Sequence, residues 1–260
     1  MEKTLHFIWY QGLRTAPPEL QAIPSQWKSL NPEYQIKVWD SVSLEEFIKN
    51  CYPHYLSFFR NIGSGQTERQ AVIKKCDFGR LLALLRFGGG YIDLDCEPVK
   101  PLRSLFDYGK VEHIHTRFVY SRNGSYPTNL KKIHGKPIQV DFEKYELILS
   151  REHCFNTVLN GWSVSNTVMF AKAGSALLND MIVSCIANVK EKVLAFAGPL
   201  GLSKYLISRI SDLSGRVLTL PPYYFLWQKH DMGEVWERAV CCHQNRMDWT
   251  DKTNIVPWDC

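Results

Sequence analysis

The sequence predicts an α/β domain with a mixed central sheet flanked by helices, and three observations carry that prediction. Short runs rich in β-branched and aromatic residues alternate with amphipathic runs of helical length. A long Leu-rich helix is stopped by the triplet Gly88-Gly89-Gly90 directly before an apolar strand. Composition is ordinary for a globular protein, 45% apolar and 22% charged, over 260 residues that fit one large domain or a domain with a substantial insertion.

Residues 5–10 read as a first buried strand, and Gln11-Gly12 opens a loop. Pro17-Pro18-Glu19 suits the first turn of a helix to about residue 30, where a missing N–H costs nothing, and Asn31-Pro32 ends it. Residues 35–39 alternate like a second strand. Ser43, with Glu46 three residues later, has the spacing of a capping box that opens a helix through Cys51. Residues 66–87 form a second helix with a continuous apolar stripe, capped by Gly88, and 91–95 form the strand after it. Between 107 and 150 the pattern is mixed, with strand candidates at 112–120 and 138–142, as expected of an inserted loop or hairpin region. A strand at 167–171, helices at 175–189 and 199–210, a late strand at 216–220 and a short aromatic tail from Val235 complete the order.

The chemistry concentrates at Tyr91-Ile92-Asp93-Leu94-Asp95. On an extended strand residues i and i+2 share a face, so both carboxylates would point together and repel. A hard divalent cation bound through oxygen relieves that repulsion and commonly carries a substrate's phosphates. A solvated acidic turn after a strand is the competing explanation. Three further segments bear on the choice. Trp9 ends the first strand, where α/β folds place ligands, and could stack on a base or simply pack. Asp77 and Arg80, spaced i and i+3, are either a surface pair worth about 0.2–0.5 kcal/mol or cleft residues. In a cleft they would contact sugar or ribose hydroxyls and a phosphate. His243, followed by Asn245, Asp248 and Trp249, could complete a metal shell through its imidazole or lie on the surface.

Composition narrows the classes. The net charge of +5 is dispersed, and the densest basic cluster, Lys131, Lys132, His134 and Lys136, fits an anionic acceptor, a membrane surface or a solvated loop. It is too weak to support nucleic acid as a partner. The eight cysteines show no zinc-like spacing and read as reduced, mostly buried thiols of a cytosolic protein, Cys241-Cys242 included. No window approaches the roughly 18–20 apolar residues of a membrane span, and the N-terminal apolar stretch is too short for a signal-peptide core. The expected location is cytoplasmic, with peripheral attachment at the cytoplasmic membrane face as an option.

Taken in order, His6-x-x-Trp9, Asn31-Pro-Glu-Tyr34, Val38-Trp39-Asp40, Asp77-x-x-Arg80, Gly88-Gly-Gly-Tyr91-x-Asp93-x-Asp95 and His243 with Trp249 resemble glycosyltransferase family 32. That group includes yeast-type initiating mannosyltransferases, bacterial polysaccharide transferases and relatives of clostridial glucosylating toxins. The resemblance covers most of residues 3–102 and thins to islands at 162–171, 197–205 and 243–249. It implies a single GT-A-like domain: a nucleotide-sugar-binding part at 1–106, an insertion at 107–150, and an acceptor side with C-terminal closure at 151–260. It also implies a metal-dependent, retaining transfer of a hexose-type sugar from a nucleoside diphosphate, a UDP-sugar ahead of a GDP-sugar, to an acceptor hydroxyl. The acceptor would be a glycan, a lipid-linked oligosaccharide or a protein, and the setting polysaccharide or glycan synthesis.

Residue by residue, the resemblance implies that Trp9 stacks on the donor base and that Asp77 and Arg80 contact sugar and ribose. Tyr91 and Asp93 belong to the donor-binding set, and Asp93 also supports the metal. Asp95 binds Mn²⁺ or Mg²⁺ directly, His243 and Trp249 close over metal and diphosphate, and Asn166 falls near the acceptor side. Asp77, Asp93 and Asp95 make up the catalytic set. The chain departs from the family at Ala197, where Thr is frequent, and at Asp248, where Ser is frequent. Three alternatives stay open: a toxin-like protein glycosyltransferase, a non-catalytic carbohydrate-binding module, and a phosphatase-type hydrolase. The last expects a Gly-rich loop after the acidic pair, whereas Cys96-Glu97-Pro98 follows here.

Overall fold

The computed structural model describes residues 1–107, 110–119, 129–152, 163–213, 215–225 and 239–244, with 110–119 and 129–138 described through their backbone. Its strands are β1 (Thr4–Ile8), β2 (Gln35–Trp39), β3 (Gly89–Ile92), β4 (Cys96–Pro98), β5 (Lys110–Val119), β6 (Asn129–Gln139), β7 (Leu147–Arg151), β8 (Val164–Ala171), β9 (Val217–Leu220) and β10 (Cys241–His243). Its helices are α1 (Pro18–Gln21), α2 (Ile23–Leu30), α3 (Ser41–Cys51), α4 (Pro53–Asn61), α5 (Glu68–Phe87), α6 (Arg103–Phe106), α7 (Ala176–Ala187), α8 (Val193–Phe196), α9 (Pro199–Ser208) and α10 (Ile210–Leu213). The expected α/β architecture with a mixed sheet is present.

Among the described residues, six strands make the central sheet in the order β2-β1-β3-β8-β7-β9. β1, β2 and β3 run parallel, β8 is antiparallel to β3 and to β7, and β9 is parallel to β7. Alternation along each strand feeds two cores. Leu5, Phe7, Ile92, Ile148, Val168 and Phe170 join one layer with Trp27 of α2. Tyr91, Leu147, Leu149, Met169 and Ala171 join the other, with Phe78 and Leu81 of α5 and Leu178 of α7. Among the described residues no helix is long and apolar enough to cross a membrane.

The glycine triplet explains how β3 enters the sheet. Gly88 caps α5 with φ 62°, its N–H donating to Leu84 O at 2.8 Å. Gly89 follows at φ 83°, where a Cβ would lie 2.2 Å from Thr4 O, so only a bare α-carbon lets the chain turn directly against β1.

Several local expectations need correction. The helix expected over 17–30 divides at Ala22, with Pro24 in the first turn of α2. The capping box of α3 uses Asp40 as N-cap and Ser43 as its N3 partner, because Asp40 accepts from Ser43 N at 2.8 Å. The box thus lies one turn before the Ser43 and Glu46 spacing. α4 and β7 were not foreseen, and the candidate strand at 138–142 gives way after Gln139 to a short 3-10 turn at Phe142–Lys144. β3 ends at Ile92, so Asp93 and Asp95 are not on a strand, and the shared-face argument for them fails. Residues 107–150 do contain an antiparallel pair, β5 with β6, that forms a ladder separate from the main sheet.

Candidate active site

The acidic pair sits in a turn at the carboxyl end of β3. Asp93 N donates to Thr167 O on β8 at 2.8 Å, and Cys96 N donates back to Asp93 O at 3.0 Å, closing the turn before β4. Because β1 and β2 run parallel to β3, Trp9 and Asp40 emerge at this same edge. β8 arrives antiparallel and contributes its first residues, including Asn166. The two aspartates then part. Asp93 turns toward α5, and Asp95 turns toward β10.

On the α5 side lies a buried network centred on Arg80. Its guanidinium meets Asp77 Oδ1 at 2.7 Å and Asp93 Oδ1 at 3.3 Å, donates to Asn166 O at 2.5 Å, and stacks 4.3 Å from the Tyr91 ring centre. The Tyr91 hydroxyl donates to Asp93 Oδ1 at 2.6 Å, and Asn166 Nδ2 donates to Asp77 Oδ1 at 3.0 Å. The surface-pair alternative for Asp77 and Arg80 is therefore excluded: their side chains are 5% and 7% exposed. Burial lifts the Asp77 carboxyl to about 6 against the opposing pull of Arg80. Burial likewise raises Asp93, again opposed by Arg80 and reinforced by the neighbouring Asp95 charge. Burial works against the Arg80 charge, but Tyr91, Asp93 and Asp77 outweigh it and hold its pKa above the ordinary arginine value.

On the other side, β10 pairs antiparallel with β4, placing His243 opposite Cys96. Gln244 N donates to Asp95 O at 2.9 Å and secures the ladder's end. His243 Nε2 consequently lies 3.2 Å from Asp95 Oδ1. Burial opposes the imidazolium, but Asp95, with Asp93 and Glu152 behind it, overcomes this and raises the His243 pKa. Asp95 and His243, with the Cys96 sulfur, bring ligand atoms of carboxylate, imidazole and thiol type within 4.8 Å of one another. These donors fit a divalent cation, which Asp95 and His243 would hold through oxygen and nitrogen.

Trp9 is half-buried at the end of β1, its indole N–H donating to Thr15 Oγ1 at 3.2 Å. Trp249 and Asp248 lie outside the described residues, as do the side chains of Lys131, Lys132, His134 and Lys136. Ala197, the position at which the sequence departs from the frequent Thr of the family it resembles, accepts through its carbonyl from Asn166 Nδ2 at 3.4 Å. Sequence reasoning missed Glu152. It follows β7 at the same sheet edge, accepts from Ser163 Oγ at 3.2 Å, and is pushed up to about 7 by burial, against the pull of that hydroxyl and of His243. No motif marks it, because an isolated Glu after an unforeseen strand carries no pattern.

Comparison with known proteins bears on the region that holds the acidic pair. Residues 17–112 match the family described as a glycosyltransferase sugar-binding region containing the DXD motif. A glycosyltransferase of Acanthamoeba polyphaga mimivirus is 26% identical over 132 residues, 48% of this chain and 50% of that protein. Mannosyl phosphorylinositol ceramide synthase SUR1 of Saccharomyces cerevisiae is 36% identical over 84 residues, 29% of this chain and 20% of that protein. The chain thus spans at most half the length of these relatives. The UDP-bound glycosyltransferase domain of the YGT toxin shares the fold, with a TM-score of 0.53 at 10% identity over 84% of this chain and 79% of that one. Residues 17–112 are thus similar to the DXD-containing sugar-binding region of glycosyltransferases, and the chain shares the GT-A-type fold of the YGT domain.

Proposed function

We propose that the chain transfers a hexose-type sugar, with retention of configuration and dependence on a divalent cation, from a nucleoside-diphosphate sugar to an acceptor hydroxyl. The observation that carries this reading is the Asp95–His243 pair at 3.2 Å, set beside the buried Asp77–Arg80–Asp93 network at one sheet edge. We favour a UDP-sugar as donor, UDP being the nucleotide in the YGT domain. The acceptor we propose is a glycan or lipid-carried headgroup, in line with the yeast relative's name, and the setting glycan synthesis at a cytoplasmic membrane face.

A bound cation supplies positive charge against the nucleoside-diphosphate leaving group. The chain's own residues do the rest. Asp95 and His243 orient the cation's side of the site. Asp77, locked by Arg80 and Asn166, presents a fixed negative charge above about pH 6 that stabilises the positive charge developing at the sugar. Arg80 holds both Asp77 and Asp93, so neither is a free nucleophile. That favours front-face attack: the acceptor oxygen bonds to sugar C1 as the C1–O bond to the β-phosphate breaks, and the acceptor's proton passes to that departing phosphate oxygen. Trapping a covalent glycosyl-enzyme on a named carboxylate would refute this route.

The test is Mn²⁺-dependent release of nucleoside diphosphate from a panel of sugar nucleotides. We expect release by the wild type, and a loss of about 100-fold or more in Asp95→Ala and Asp93→Asn with circular dichroism unchanged. No release by the wild type points to a non-catalytic module, and undiminished release in both variants removes the acidic pair from the mechanism.

A further inference from the structure

The β4–β10 ladder sets a third ligand type against the Asp95–His243 pair. Cys96 is the register partner of His243, and its sulfur, an Asp95 oxygen and a His243 nitrogen lie within 4.8 Å of one another. A triangle of that size has a point within about 2.8 Å of all three corners. Movements of roughly half an ångström at each side chain would reach the ~2.0–2.3 Å of zinc-type bonds. The Cys96 backbone is held on both sides, its N–H donating to Asp93 O at 3.0 Å and its carbonyl accepting from the Trp27 indole at 2.8 Å. The sulfur is fully buried, whereas the His243 and Asp95 side chains are 16% and 19% exposed. The cluster is closed at the thiol and open at the carboxylate, so an ion could enter from solvent and rest against sulfur.

We propose that Cys96 is a third protein ligand of the cation held by Asp95 and His243, and that the site takes a thiolate-accepting ion of the Co²⁺/Zn²⁺ class in preference to Mg²⁺. This rests on the cation-dependent reading of the site given above. One carboxylate, one imidazole and one thiolate form a borderline-soft donor set, whereas Mg²⁺ demands oxygen ligands and near-ideal octahedral geometry. Binding replaces the Cys96 S–H bond by a sulfur–metal bond and releases the proton to solvent.

The experiment is a titration of the full chain with Co²⁺, without substrate, followed by near-ultraviolet absorbance. The wild type is expected to develop a sulfur-to-cobalt charge-transfer band that a hundredfold excess of Mg²⁺ does not remove. Cys96→Ser should lose the band and bind Co²⁺ at least about tenfold more weakly, while Cys241→Ser should keep it. X-ray absorption on the Co²⁺-loaded wild type reads a sulfur neighbour directly and does not depend on a variant folding. Co²⁺ bound with only nitrogen and oxygen neighbours overturns the proposal and leaves the cation reading intact. A band kept in Cys96→Ser and lost in Cys241→Ser also overturns it. Failure to take up Co²⁺ overturns the proposal, whereas the cation reading falls only if nucleoside-diphosphate release proves independent of Mn²⁺.

Discussion

Arg80 concentrates the electrostatics of the site in a single side chain. A guanidinium can serve two carboxylates and a carbonyl at once while stacking on Tyr91, which a lysine ammonium could not reproduce. Removing it leaves Asp77 buried, and Asp93 partly so, with only the neutral donors Asn166 and Tyr91 and no cation beside them. Arg80→Met is expected to destabilise by about 3–5 kcal/mol, and Asp77→Asn combined with it to cost clearly less than the sum of the two. Urea unfolding of the two single variants and the double would measure this, and a cost for Arg80→Met below about 1 kcal/mol would contradict the network. Much of this cluster was legible beforehand, because i and i+3 share a helix face and charges on an otherwise apolar stripe imply a cleft. The link to Asp93 was not. It needs the chain to turn after Ile92, and the strand pattern ran on to Asp95 with nothing local to stop it.

At the scale of elements, the junction of β1, β2 and α5 is pinned by His6. Its Nδ1 accepts from the Trp39 indole N–H at 3.3 Å, so the ring proton lies on Nε2 and donates to Gly88 O at 3.1 Å. Burial drives the His6 pKa down from 6.5 to about 4, with the Gly88 bond opposing. Between those values the unfolded chain binds a proton that the folded chain refuses. The contribution to stability is therefore complete above about pH 6.5 and declines as the pH falls toward 4, by up to about 3 kcal/mol. Urea midpoints at pH 7.5 and pH 5 should differ more in the wild type than in His6→Gln; equal differences would show that His6 does not titrate in this window. The first two strands and α5 could be read from sequence because each is a local pattern ended by its own cap or glycine. The β4–β10 ladder could not. Its strands have three residues each and lie far apart in sequence, so the approach of His243 to Asp95 is tertiary information alone.

For the molecule as a whole, the β5–β6 ladder stands apart from the sheet that carries the candidate site. The site's described residues come from the edge of the six-stranded sheet, from α5 and from β10, and the sheet's strand order omits β5 and β6. Lys110 and Gln139 are register partners at the ladder's base, so their α-carbons are about 5 Å apart. A linker of three or four Gly and Ser residues spans that gap without strain. Replacing residues 111–138 with such a linker should leave the urea midpoint of the remaining fold nearly unchanged. It should also keep nucleoside-diphosphate release within about twofold, because loops around a rigid scaffold carry recognition more than framework. Transfer to glycan acceptors should be lost or redirected in the same variant. The two readouts separate the ideas: hydrolysis kept with transfer changed assigns the inserted ladder to the acceptor. If hydrolysis falls together with transfer while the fold survives, the ladder supports the donor site and the division fails.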